Sequence, residues 1–144
     1  MPSILTNMAD VIFVVMRWLH LASMATLVGG ILFGRLVMTP ALGALAPDAA
    51  KALGARAAAS YRPLVIFAIC GLLVSGTYNL LTSPGHSVTY HMLFGIKMML
   101  VLHVFAVAIL ITKADNPRRA RMMTGVVISG LIILAISAYL RRIF

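Results

Sequence analysis

Four long apolar runs, separated by shorter polar stretches, organise the chain. They cover approximately residues 11–37, 63–81, 91–111 and 122–140. A membrane-spanning helix needs about 20 consecutive and mostly apolar residues, and each run is of that order. The pattern predicts an all-α polytopic membrane protein. It would be a four-transmembrane-helix bundle in a single transmembrane domain that covers residues 1–144.

The connections between the runs differ in character. The first is the alanine-rich stretch PALGALAPDAAKALGARAAASYR, in which Pro47 and Asp48 suit the start of a helix. It predicts either a short amphipathic helix on the membrane surface or an extension of the second span, with Arg62-Pro63 as a kink or a boundary. TSPGHSVTYH and TKADNPRRAR are read as turns, and Asn116-Pro117 breaks the second of them.

Composition and charge support the bilayer as the main partner. Of the 144 residues, 62% are hydrophobic and 10% are charged, which is more apolar surface than a soluble domain of this size can hide. The net charge is +9, yet there is no basic face with interleaved aromatic residues, so nucleic-acid binding is not expected. The N-terminus lacks the basic region of a signal peptide, so the first apolar run is expected to remain as a span.

The basic residues also predict an orientation. Most of them lie in the first and third connections: Arg35, Lys51, Arg56, Arg62, Lys113, Arg118, Arg119 and Arg121. Because positively charged loops stay in the cytoplasm, these two connections are expected there and both termini on the periplasmic side of a bacterial inner membrane. Homo-oligomer formation is left open.

Four ionisable residues fall within the apolar runs, namely Arg17, His20, Lys97 and His103. A charged side chain at the centre of a membrane helix costs about 2.5 kcal/mol or more, so such residues usually face the bundle interior and have a function. The two histidines lie at similar depths on helices that run in the same direction, roughly 14 and 18 Å into the membrane at 1.5 Å per residue. This arrangement predicts that His20 and His103 are the axial ligands of a haem b iron.

The two cations fit the same hypothesis. Arg17 precedes His20 by one helical turn, and Lys97 precedes His103 by six residues, about 120° round its helix. Both therefore lie on the outer side of the histidines. They are predicted to hold the propionates of the haem, since cations bind carboxylates well.

Other candidate ligands are weaker. His86 and His91 lie in or beside the second connection, and His91 is an alternative haem ligand. Thioethers suit copper(I), but the ten methionines are scattered, so copper is only an alternative cofactor. Cys70 is the only cysteine and is expected to pack in an apolar environment.

Two stretches carry a resemblance to a known family. RWLHLA followed by GGILFGRL, and GIKMMLVL at the start of the third run, resemble the small membrane proteins that include CopD-type domains and HemJ-type protoporphyrinogen oxidases. The resemblance implies haem b, a functional arginine and histidine at Arg17 and His20, and an essential lysine at Lys97. The N-E-x-P motif that opens the last helix of HemJ-type proteins is missing, since the chain reads RMMTGVV there.

Together these observations predict a haem b-binding protein embedded in the membrane. It would be a small b-type cytochrome that passes electrons between a quinone or another reductant and a redox protein partner. One alternative is a HemJ-like protoporphyrinogen oxidase that acts on a porphyrin. Another is a CopD-like copper-handling or structural membrane subunit. Whether the protein is an enzyme stays open; if it is, it would be an oxidoreductase.

Overall fold

A computed structural model gives the protein as a bundle of helices. It describes residues 2–82, 88–113 and 116–142, with side chains for 7–82, 88–113 and 116–140. Within these ranges four helices are long and apolar enough to cross a membrane: span 1 (Asn7–Gly43), span 2 (Pro47–Leu81), span 3 (Val88–Ile111) and span 4 (Arg119–Leu140). The predicted all-α four-helix membrane bundle is confirmed.

Span 1 is one helical stretch with two wider turns. Its segments are α1 (Pro2–Met24), a π-helix (Ala25–Gly29), α2 (Gly30–Phe33), a second π-helix (Gly34–Met38) and α3 (Thr39–Gly43). The remaining helices are α4 (Pro47–Leu81), α5 (Val88–Ile111) and α6 (Arg119–Arg142). All four spans are longer than the apolar runs that predicted them, because polar and alanine-rich flanks continue the helices.

The extended form of span 2 is the correct alternative for the first connection. Helix α4 begins at Pro47, where proline needs no hydrogen-bond donor, and Asp48 lies in its first turn. The helix continues through Pro63, so Arg62-Pro63 is not a helix boundary. Prolines are tolerated inside membrane helices when neighbouring groups compensate for the lost backbone hydrogen bond.

Spans 1 and 2 reach beyond the other two at one end. They have 37 and 35 residues, against 24 and 22 in spans 3 and 4. At 1.5 Å per residue the first two are about 55 Å long, and the last two are close to the roughly 30 Å of a bilayer core. The guanidinium of Arg119, at the start of span 4, donates to the carbonyl of Gly54 over 3.1 Å. The turn at residues 44–46 therefore projects past the ends of spans 3 and 4.

The helices pack in two close pairs. Helix α1 packs mainly against α4, and α5 packs mainly against α6. Where the pairs meet, all four spans contribute to a core of buried apolar residues: Leu27, Ile31, Val65, Ala68, Val104, Ala108, Ile111 and Val126. Large apolar side chains cover the outside, among them Phe67 and Met99, whose exposed fractions are 75% and 74%. Such a surface is suited to contact with lipid.

A tyrosine from span 2 is hydrogen-bonded to the first π-helical segment of span 1. The hydroxyl of Tyr61 shares its single hydrogen between the carbonyls of Thr26 and Leu27, at 2.7 and 2.9 Å. A side chain at Gly30 would overlap the Tyr61 ring, so only glycine permits this crossing. The contact separates two cavities of about 270 Å³ each, named here the His20 cavity and the Arg119 cavity after one residue of each wall.

Candidate cofactor site around His20

The His20 cavity lies in the half of the bundle away from the 44–46 turn. All four spans line it, with His20 from span 1, Gly76 from span 2, Lys97 from span 3 and Gly130 from span 4. Most of the wall is apolar, and the polar groups are few. An apolar cavity with a few convergent polar groups is the usual form of a cofactor or ligand site.

Hydrogen bonding fixes the form of the His20 imidazole. The Ser75 hydroxyl donates its only hydrogen to the carbonyl of Gly71 over 2.6 Å. Ser75 Oγ can therefore only accept from His20 Nδ1, which lies 2.9 Å away. Nδ1 carries the hydrogen, and in a neutral imidazole the lone pair is then on Nε2. Histidines that bind metals usually have this arrangement, with the second nitrogen donating to a neighbouring group.

A cation lies in the same cavity. Lys97, half-buried, lines the cavity from span 3, close enough to His20 for the two groups to interact electrostatically. Tyr90 and Asn79 add a phenol and an amide to the wall. The rings of Tyr90 and Phe94 stack with their centroids 5.8 Å apart. The cavity thus offers an imidazole nitrogen that is an acceptor when the ring is neutral, a cation and polar donors within an apolar lining.

His103 does not line this cavity, although Lys97 does. Its imidazole is exposed on the outer face of span 3. The helix explains this, because six residues separate Lys97 from His103 and place them about 120° apart. Val101 and Val104 lie on the inner side of the same helix and line the cavity. The prediction that His103 is the second axial ligand stays a prediction, and it requires a partner for His103 outside this bundle or a rotation of span 3.

Arg17 also lies on the outside. Its side chain is exposed, and the guanidinium carbon is 6.0 Å from the centroid of the Phe13 ring. The structure therefore brings together His20 and Lys97 of the four predicted residues and leaves the other two on the surface of the bundle.

Of the remaining candidates, His91 and Cys70 are not part of the cavity wall. His91 is exposed, and its ring lies edge-on to Tyr90 at 5.9 Å. His86 falls outside the described residues. Cys70 is exposed rather than packed inside. In the part of the chain that the structure describes, no three His, Cys, Asp or Glu side chains form a group that could hold a metal ion.

Ser75 and Met98 are site residues that sequence reasoning did not identify. Ser75 is fully buried and was recognisable only as a small residue four positions after Gly71. Its role depends on His20, which lies 55 positions away in the sequence. Met98 lines the cavity beside Lys97, but nothing distinguishes it from the other methionines in the sequence.

The comparisons with known proteins give no family. No protein-family model matches the chain, and neither does any curated protein or solved structure. The resemblance to CopD-type and HemJ-type proteins therefore stays a prediction that rests on the two stretches of sequence.

Proposed function

We propose that this membrane protein binds haem b in the His20 cavity and takes part in electron transfer. His20 Nε2 would be the ligand that the chain supplies to the iron, and Lys97 would hold a propionate. The observation that carries the proposal is the His20–Ser75–Gly71 chain of hydrogen bonds, which places the lone pair of the neutral ring on Nε2, in a cavity that also contains a cation.

The imidazole and the ammonium group of the cavity suit haem, but the volume of the cavity is small for it. Imidazole is a common axial ligand, and an ammonium group is a suitable partner for a carboxylate. The volume of about 270 Å³ is slightly below the roughly 300–1,000 Å³ of ordinary ligand pockets. A whole macrocycle needs more room, so haem binding would require side chains of the wall to move. When bound, haem would supply one-electron redox chemistry.

A quinone head group is the second candidate ligand, and the cavity volume favours it. A single ring needs less space than a porphyrin. Lys97 could donate a hydrogen bond to one carbonyl, and His20 Nε2 could accept one from a hydroquinone hydroxyl. In this case the protein would handle the quinone without its own haem.

One composition analysis separates these proposals. The full chain is purified in a mild detergent, haem is measured by the pyridine haemochrome method, and iron, copper and extractable quinone are measured in the same sample. About one haem b per chain would support the main proposal. Quinone without haem would replace it with the second candidate. Copper without iron would overturn both and favour a copper-handling subunit.

We further propose a bacterial inner-membrane location with the first and third connections in the cytoplasm. Their excess of Arg and Lys supports this orientation. A reporter that is active only in the periplasm, fused after Phe144, should then be active. If a reporter that works only in the cytoplasm is active at the same position instead, the orientation is the opposite one.

A further inference from the structure

The Arg119 cavity is a second space in the bundle, on the side of the 44–46 turn. Spans 1 and 2 line it with residues such as Leu42 and Ala57, and Ile111 and Arg119 complete the wall. Its volume is about 270 Å³, and its lining is almost entirely apolar. It is separate from the His20 cavity, because Tyr61 and the core residue Leu27 lie between the two cavities.

Arg119 is the one charged residue among the described residues of this wall, and backbone carbonyls hold it in a fixed position. Its Nε donates to the Ile111 carbonyl over 3.1 Å, one terminal nitrogen donates to the Gly54 carbonyl over 3.1 Å, and the other donates to the Lys113 carbonyl over 2.6 Å. The guanidinium is therefore oriented before any ligand binds. Orientation in advance lowers the entropic cost of binding.

The hydroxyl groups of the described wall residues already donate to backbone carbonyls. Thr39 donates to the Gly34 carbonyl, Thr112 to the Ile109 carbonyl, and Tyr61 to two carbonyls of span 1. Among the described residues of the wall, Arg119 is consequently the one that contributes a charge. An apolar space with a cation at its edge suits an amphiphile that has an anionic head.

The cavity lies where two of the spans end. Arg119 begins span 4 and Ile111 ends span 3, and lipid head groups are expected near the ends of membrane spans. Spans 1 and 2 continue past this level and form the far wall of the cavity. A ligand here would have its head at the interface and its chain directed along the apolar helices.

The surrounding charge favours an anion whatever other contacts Arg119 makes. Residues 35–62 and 113–121, which include the ends of the spans on this side, contain eight Lys or Arg residues: Arg35, Lys51, Arg56, Arg62, Lys113, Arg118, Arg119 and Arg121. The same two stretches contain only two acidic residues, Asp48 and Asp115. This end is strongly positive even if both carboxylates are paired, and basic pockets between membrane helices suit anionic head groups.

We propose that the Arg119 cavity binds an anionic phospholipid, with its phosphate against the Arg119 guanidinium and the start of an acyl chain among the apolar side chains. Guanidinium groups bind phosphate oxygens through strong, charge-assisted hydrogen bonds. The site would fix the ends of spans 3 and 4 to the leaflet on the side of the 44–46 turn.

The test uses the purified full chain and native mass spectrometry. The protein is titrated with phosphatidylglycerol, with phosphatidylcholine of the same acyl chains, and with oleate. Phosphatidylglycerol should bind at a defined stoichiometry and more tightly than phosphatidylcholine. Preferential binding of oleate would overturn the phospholipid assignment, because a free carboxylate would then be the ligand.

Two pairs of variants locate the site. Arg119→Gln removes the oriented guanidinium, and Arg118→Gln removes the same charge from an exposed neighbour. The first should weaken phosphatidylglycerol binding about tenfold or more, the usual effect of losing a charged hydrogen bond, and the second should leave it nearly unchanged. Equal losses in both would mean general attraction to a basic surface and would overturn the proposal.

The second pair keeps every charge, so it stays informative if Arg119→Gln fails to fold. Ala57→Leu fills the cavity, whereas Ala59→Leu adds the same side chain at an exposed position. Only Ala57→Leu should weaken phosphatidylglycerol binding. Unchanged binding in Ala57→Leu would overturn the proposal. Haem or quinone content should be the same in all four variants, which separates this site from the His20 cavity.

Discussion

His20 Nδ1 lies 2.9 Å from the Ser75 hydroxyl oxygen, and this contact joins span 1 to span 2 beside the His20 cavity. The serine hydrogen is directed to the Gly71 carbonyl, so the imidazole must be the donor. A partly buried polar contact between two membrane helices therefore also determines which ring nitrogen can bind a ligand.

The first prediction concerns Ser75. Replacement by alanine removes the acceptor for Nδ1–H, so the imidazole loses its fixed orientation. Loss of such an outer contact usually weakens metal binding by about 10–100-fold. Titration of the haem-free protein with haem, followed by absorbance, measures the effect. Ser129→Ala is the matched control, since Ser129 is buried in span 4 and does not line the cavity. Equal affinities in wild type and Ser75→Ala would argue against a role of Ser75 in the site.

The second prediction concerns Lys97 and the haem propionates. Lys97→Gln should lower haem affinity by about tenfold, because a charge-assisted hydrogen bond is lost. The dimethyl ester of haem, which has no propionate charge, should bind wild type and Lys97→Gln about equally. Lys51→Gln, an exposed charge at the other end of the bundle, is the control. If Lys97→Gln weakens binding of the ester as much as binding of haem, Lys97 has a different role.

The third prediction concerns the crossing of Gly30 and Tyr61. Gly30→Ala should destabilise the bundle by about 1–3 kcal/mol, because the new methyl group overlaps the Tyr61 ring. Gly29→Ala should be neutral or stabilising, since no atom lies near the new methyl group and alanine favours helix. Unfolding in detergent micelles measures both. If both variants lose the same stability, the cause would be the helical conformation of this segment rather than the contact with Tyr61.

The sequence predicts the fold well because each span contains a long and mostly apolar run. The ends of the spans are less predictable. Pro63 suggested a kink or a boundary, and the boundary is wrong, because α4 passes through Pro63. Pro47 correctly indicated the start of that helix. Hydropathy reports which segments leave water, but it does not report how far a helix extends beyond the membrane.

The site was only partly predictable. Depth along a helix follows from residue spacing, but the direction of a side chain depends on how each helix is rotated in the bundle. Lys97 and His103 are about 120° apart, so they could not easily face the same cavity, and packing of span 3 places Lys97 inside. The contact between His20 and Ser75 depends on how spans 1 and 2 pair, which one sequence does not contain.

The most direct test of haem ligation is a set of reduced-minus-oxidised absorption spectra of wild type, His20→Ala and His103→Ala at matched protein concentration. His20 lines the cavity and His103 does not, so wild type and His103→Ala should both show a b-type haem spectrum that His20→Ala lacks. A spectrum that survives in His20→Ala and disappears in His103→Ala would contradict the assignment of His20 as the iron ligand.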